Sequence, residues 1–464
     1  MALVLAACLN PTGSYEPLRY PDGVPQRPFW ARKLDGGSGG SWYQIQADLQ
    51  GASEHSFVYV EDGRGVSPET AQAVADEFET RVYPLIREKF GEESDVDGNG
   101  RVTILLLDIV DAYREGESYV AGYFDPYHCL TGASYPYSNA MDMIFMDTDP
   151  LTPGSETFMV TLAHEFQHLA NFNRTYIEGG GRQFDTWINE GLSSAAEYLY
   201  LGRQVQDKID YFNADPKGDI LNGVYFLTWP SHRAVSAYTS YATVYLFFQW
   251  LRIHASNGAG IYKDIVRSSH MDYSAVAEEA GRRGLDGSWP TLLSSWFIAN
   301  ALNRPSGLYG YRDEIAVGPP RNRMSGSSSS VELFPGEGIY IPLTSPFDPD
   351  PPSRIAFAGL TRSTGAADTD PPYEGEVLLV LNTDGNEKGA AAQAPIPTSS
   401  AAASFLSMAP VPEAMSAGRG TAVPSGPWPV DHLFPLPRRK GGGVSPGMPR
   451  GRAGPAFPGE MENP

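Results

Sequence analysis

The stretch TLAHEFQHLANF, residues 161–172, places two histidines four positions apart, with a glutamate directly after the first. In an α-helix, residues i and i+4 lie one above the other on the same face. His164 and His168 can therefore grip one metal ion, while Glu165 stands one step round the helix. Thr157, Thr161, His164, His168 and Asn171 form a polar stripe, flanked by Phe158, Leu162, Phe166 and Leu169, which is the pattern of an amphipathic helix beginning near Ser155. The alternative is a helix that merely carries two surface histidines. A third ligand separates the two, because a catalytic zinc takes three protein ligands and keeps a fourth position for water.

One source of that ligand is excluded. The elongated pattern H-E-x-x-H-x-x-G-x-x-H needs Gly and His where this chain has Asn171 and Arg174. The other source is a glutamate on a second helix packed antiparallel to the first, and DTWINEGLSSAAEYL (185–199) offers Glu190. Glu197 follows two helical turns later on the same face, where a carboxylate can orient a ligand histidine through its other ring nitrogen. Glu178, in a glycine-rich loop, and Asp185 are the rivals of Glu190.

HEFQH followed by WINEGLSSAAE resembles the gluzincin metallopeptidases, whose third ligand is the glutamate of an N-E-G-like motif. With DGNGRVTILLLDI, VAGYFDP, TLAHEFQHLANF and TWINEGLS, the wider pattern resembles the hyicolysin-like family over about residues 40–305. The resemblance implies one Zn2+ held by His164, His168 and Glu190, with Glu165 as general base. The oxyanion then needs a donor besides zinc, and His232, Tyr238 and Tyr241 are the candidates. Tyr241 matches a helix-opening tyrosine of related aminopeptidases, with Leu251 ten residues on. The implied activity is a metalloendopeptidase. An aminopeptidase is the alternative, since NAMDM (139–143) faintly echoes an exopeptidase amine-capture motif; a catalytically inactive surface binding protein is the other.

The rest of the chain is read around this centre. At 464 residues it is too long for one core. Residues 1–40 read as a signal or lipobox remnant and linker: Leu5-Ala6-Ala7-Cys8 resembles a lipobox, which would anchor Cys8 to a membrane. WYQIQADLQ and SFVYVED suggest a hairpin; a helix follows from Ser67-Pro68-Glu69, kinked at Pro84; VTILLLDI and MDMIFMDT suggest strands. The expected architecture is α+β: a zincin-like catalytic domain with an α/β half at 41–175 and a helical half at 176–317, then a small β module at 331–384 and a low-complexity tail without structure at 385–464. A formal net charge of -21 argues against nucleic acid and anionic membranes as partners and suits a secreted or surface protein acting on peptides. DVDGNG (95–100) looks like the first half of an EF-hand loop, giving Asp95, Asp97 and Asn99 as a partial Ca2+ site, though Leu106 stands where the twelfth-position glutamate is needed. The remaining histidines show no metal spacing, and Cys129 reads as a buried apolar residue.

Overall fold

The computed structural model describes residues 25–34, 41–115, 119–223, 226–229, 236–323, 328–350 and 352–397. Cys8, His232 and the chain beyond 397 lie outside them. Six strands, β1 (Gln26–Arg32), β2 (Trp42–Ala52), β3 (Ser56–Glu61), β4 (Val102–Leu107), β5 (Gly122–Tyr123) and β6 (Met143–Asp147), form one sheet in the order β1-β2-β3-β4-β6-β5. β2 and β3 make the expected antiparallel hairpin. β3, β4 and β6 run parallel, and β5 returns antiparallel along β6 as the edge strand.

Side-chain alternation divides this sheet into two apolar faces. Val58, Val60, Ile104, Leu106, Ile144 and Met146 point toward the helices. Phe57, Tyr59, Leu105, Leu107, Met143 and Phe145 point the other way, into a second cluster closed by Phe29, Ile45, Leu49 and Tyr123 of the same sheet. The sheet thus curls over its own outer face. Because β4 is covered on both sides, its six residues are all buried, which is why it reads as a continuous apolar run.

The helices of this half are α1 (Pro68–Glu77), α2 (Tyr83–Lys89) and α3 (Glu156–Phe172). Ser67 caps α1 by accepting from the Thr70 N–H, and Ser155 caps α3 by accepting from Phe158. At the expected kink, Phe78–Val82 form a π-helical turn with Tyr83 N–H bonded to the Phe78 carbonyl. Pro84 next to it has no N–H to continue the α-helical pattern.

The helical half comprises α4 (Thr186–Leu201), α5 (Gln206–Ala214), α6 (Asp219–Gly223), α7 (Ala237–His254), α8 (Gly260–Arg267), α9 (Tyr273–Arg282) and α10 (Trp289–Leu302). This agrees with the mostly helical subdomain expected after the motif helix. The last part of the described chain contributes β7 (Ser330–Leu333), β8 (Gly338–Pro342), β9 (Ile355–Thr361), β10 (Ala366–Asp368), β11 (Val377–Asn382) and β12 (Ala392–Pro395). β10-β9-β11-β8 form an antiparallel sheet and β12 pairs with β7. Leu378 and Val380 of β11 face the module's own core, whereas Val377, Leu379 and Leu381 join the main core. Tyr340 reinforces the join by donating its hydroxyl proton to the Phe297 carbonyl at 2.7 Å.

Two sequence boundaries need correction. β1 lies within the segment taken as linker, and β12 lies within the tail expected to lack structure from 385. Phe29 and Ala31 are fully buried, and Trp30 exchanges two backbone bonds with the Asn139 side chain at 2.9 Å each. Pro28 is tolerated because β1 is an edge strand. Phe29→Ala should therefore destabilise the fold by about 3–5 kcal/mol, read as a lowered denaturation midpoint; a linker residue would change it by less than about 0.5 kcal/mol.

Candidate metal centre

α3 and α4 pack side by side with their polar faces together. Three contacts fix the register: Asn171 Nδ2 donates to Asn189 Oδ1 at 2.7 Å, Ser193 Oγ lies 3.0 Å from His168 Nδ1, and His164 Nδ1 lies 2.7 Å from Glu197 Oε1. Residue numbers fall along α3 as they rise along α4, so the two helices are antiparallel, as the second-helix reading requires. Both are buried nearly all round, which apolar periodicity alone does not foresee: Thr161 to Phe172 have no exposed member.

This register brings His164, His168 and Glu190 into one group, each 5 % exposed or less. Glu190 Oε2 lies 3.5 Å from Nε2 of both histidines. Ligands about 2.0–2.2 Å from a tetrahedral ion stand about 3.3–3.6 Å apart, so the spacing suits such an ion. Neither Glu190 oxygen accepts a hydrogen bond, and a carboxylate left this way in the interior costs at least about 2 kcal/mol. The donor set, two imidazoles and a carboxylate, therefore fits a divalent metal. Glu178 pairs with Arg174 on the surface, and Asp185 faces Glu387 and Asp272 near the C-terminal module. Burial, with those two carboxylates adding to it, pushes the Asp185 carboxyl up to about 7. Neither rival belongs to the group.

The ring tautomers follow from the partners. Ser193 donates its proton to Gln167 Oε1 at 2.5 Å, so it accepts from His168 Nδ1–H. His164 Nδ1–H donates to Glu197, and each Nε2 lone pair is left toward Glu190. Burial would raise the Glu197 carboxyl, but the Lys208 ammonium at 2.7 Å and the His164 bond outweigh it and hold the carboxyl below the usual glutamate range. Glu165 is fully buried on the same turn of α3. Tyr241 of α7 is 1 % exposed, with its ring centroid 6.4 Å from that of His164 and 4.9 Å from that of Trp229. Tyr238 instead packs on Tyr211, with ring centroids 5.8 Å apart.

Gly191, beside the third ligand, sits under Phe248 of α7: a Cβ there would lie 2.2 Å from the ring. β5 passes so close to α3 that a Cβ on Gly122 would lie 3.0 Å from the Thr161 methyl. The edge strand therefore borders the motif helix.

In the calcium-like loop, the fold adds Asp142 to the neighbourhood of Asp95 and Asp97. Asn99 Oδ1 accepts from the Arg101 N–H at 2.7 Å, while its amide donates to Asp97. Asp142 accepts from Ser94 and from the Val96 N–H at 2.7 Å, and burial pushes its carboxyl up to about 6. With Asn139 holding β1, the NAMDM segment is committed to loop and edge-strand contacts. Cys129 is buried and its thiol raised well above its ordinary value by burial, as for an inert residue. Ser193, Gln167, Ser194 and Lys208 were not foreseen; the paired serines of GLSSAAE were the available signal for two of them.

No family model matches the chain. The chain is similar to the neutral metalloprotease ShpI of Staphylococcus hyicus, with 31 % identity over 274 residues, covering 57 % of this chain and 60 % of that protein. The chain thus spans about three fifths of the length of that relative. This similarity and the His-His-Glu group together support a metallopeptidase family. Among the described residues, no helix is long and apolar enough to cross a membrane.

The tight seat of Gly191 gives a direct check on the α4–α7 contact. Gly191→Ala should lower stability by about 1–3 kcal/mol, because Phe248 is fully buried and has to be displaced. A thermal midpoint equal to the parent's would show that α4 and α7 do not approach this closely.

Proposed function

We propose, with a metallopeptidase family as premise, that this chain is a zinc-dependent endopeptidase of the gluzincin type, acting outside the cell or at its surface. The observation that carries the reading is the buried group of His164, His168 and Glu190, with imidazole nitrogens 3.5 Å from one carboxylate oxygen. His164, His168 and Glu190 would hold the ion. When bound, zinc would acidify a water molecule and polarise the scissile carbonyl.

The chain's own groups supply the remaining steps. Glu165 takes the water proton and delivers it to the leaving amine as the C–N bond breaks. Tyr241, the tyrosine of α7 whose ring lies beside His164, donates to the oxyanion of the tetrahedral intermediate. The substrate lies extended along β5, which borders α3 at the end of the sheet, and pairs with it as an added strand. Asp142 and Asn139 are engaged elsewhere, as described, and this favours internal cleavage over capture of a free amine. Ca2+ at Asp95, Asp97 and Asn99 forms no part of the proposed chemistry. Anchoring through Cys8 would place the enzyme at a membrane surface.

Two measurements test the reading. Unfolded casein should be cut by the metal-loaded chain, with cleavage lost to a chelator and restored by about one zinc per chain; zinc uptake with no cleavage would indicate a binding protein. Glu165→Gln should retain zinc yet lose at least about 1000-fold in kcat, as expected for loss of a base acting on the attacking water. Residual turnover within tenfold of the parent would reject Glu165 as the base.

A further inference from the structure

Lys208 is an unusual residue in this setting. It lies on α5 and is only 1 % exposed. Lysine is almost never fully buried unless its charge is matched. Here Nζ donates to Glu197 Oε1 at 2.7 Å and to Ser194 Oγ at 2.9 Å. The same Glu197 oxygen receives His164 Nδ1–H at 2.7 Å. Nζ also lies 5.7 Å from the Tyr241 ring centroid and 5.6 Å from that of Tyr245, within reach of cation–π attraction. One buried cation therefore touches both the partner of a metal ligand and the tyrosine proposed as oxyanion donor.

The surroundings hold Lys208 in place. Tyr245 donates its hydroxyl proton to Gln204 at 2.5 Å and accepts from the Val205 N–H at 2.9 Å, pinning the turn from which α5 starts. Formal charge gives the arrangement a purpose. Glu165, Glu190 and Glu197 together carry three buried carboxylates, and a divalent ion plus one ammonium balances them. Without the ammonium, Glu197 would lose its charge-assisted partner at 2.7 Å, and the carboxylate that orients the His164 ring would be held less firmly.

We propose that Lys208 is a positioning residue of the metal centre, acting through Glu197 to hold His164 and through its ring contacts to seat Tyr241. It touches neither ion nor substrate. The inference rests on the metal-site reading above, and its test separates the two.

The test uses the full chain, stripped with a chelator, and reads zinc affinity by competition with a chromogenic chelator. Lys208→Met should weaken zinc about 10-fold, the low end of the cost of losing a ligand's own outer partner, because it acts one contact further out. Lys208→Gln, which keeps a donor and drops the charge, is measured beside it so that a folded neutral variant is in hand. The decisive comparison is with Glu197→Gln: in that background Lys208→Met should cost less than about threefold, because its route to His164 is already cut. An equal loss in both backgrounds means that Lys208 only supports the fold, and overturns the inference. Neutral variants that fold and bind zinc within threefold of the parent overturn it too. A parent chain that takes up no zinc overturns the metal-site reading and the role of Lys208 with it.

Discussion

Glu190 meets the two histidines because α4 can lie close against α3 along its polar face, and that approach governs much of what the site contains. The contact is made of short side chains and hydrogen-bonding ones: Ser193 against His168, Asn189 against Asn171, Gln167 between Asn171 and Ser193. On its opposite side α4 has to accept the rings of α7, and Gly191 leaves the room for Phe248. A bulkier residue there would push α4 along or away from α3. The carboxylate one residue earlier would then lose its 3.5 Å spacing to both Nε2 atoms. The glycine of the N-E-G stretch thus has a packing reason rather than a conformational one, since it sits inside a regular helix.

The second consequence of that approach is electrostatic. Packing two polar helix faces together buries polar groups that an apolar interface would avoid, and each has to find a partner. Most do so within the α3–α4 ladder or on Lys208. Glu190 does not, since its oxygens accept no hydrogen bond. A divalent ion between the helices satisfies that carboxylate and both imidazoles together, so binding free energy becomes folding free energy. The metal is in this sense an element of the helical interface as much as a reagent.

How much of this was legible in the sequence depends on how local each signal is. His164, Glu165 and His168 share one helix, and their spacing alone fixes their relative placement. Glu190 and Glu197 needed one assumption, an antiparallel return helix, which the Asn171–Asn189 and His164–Glu197 pairs satisfy. Lys208 was out of reach because it comes from α5, whose sequence QDKIDYFNA carries no clear apolar stripe and no capping side chain. Its burial is set by where α4 and α7 leave a polar gap. β1 was hidden for a different reason: the Pro- and Gly-rich residues around it outweighed the Phe29/Ala31 alternation, which covers only one short edge strand. At the loop of Asp95, Asp97 and Asn99, the fold adds Asp142 from the connection before β6, a relation no local count contains.

The same contrast explains why the β module was legible as strands but not as an independent unit. Its central strand β11 is apolar on both faces, as a fully covered strand has to be. Leu378 and Val380 serve the module, while Val377, Leu379 and Leu381 pack with α10-side residues of the main core. Gly338 approaches so closely that a Cβ would lie 2.4 Å from the Phe297 ring, and Gly385 comes within the same distance of Tyr273. Two close approaches at separate points act as a clamp, which resists rotation of one body against the other better than a single contact of equal area. The helices that the module braces, α9 and α10, contribute Trp289, whose ring lies 5.5 Å from that of Trp187, three residues before Glu190. Apolar contacts therefore run without a break from the C-terminal sheet to the turn of α4 that carries the third ligand, so the stiffness of the metal centre depends in part on a region that supplies none of its ligands.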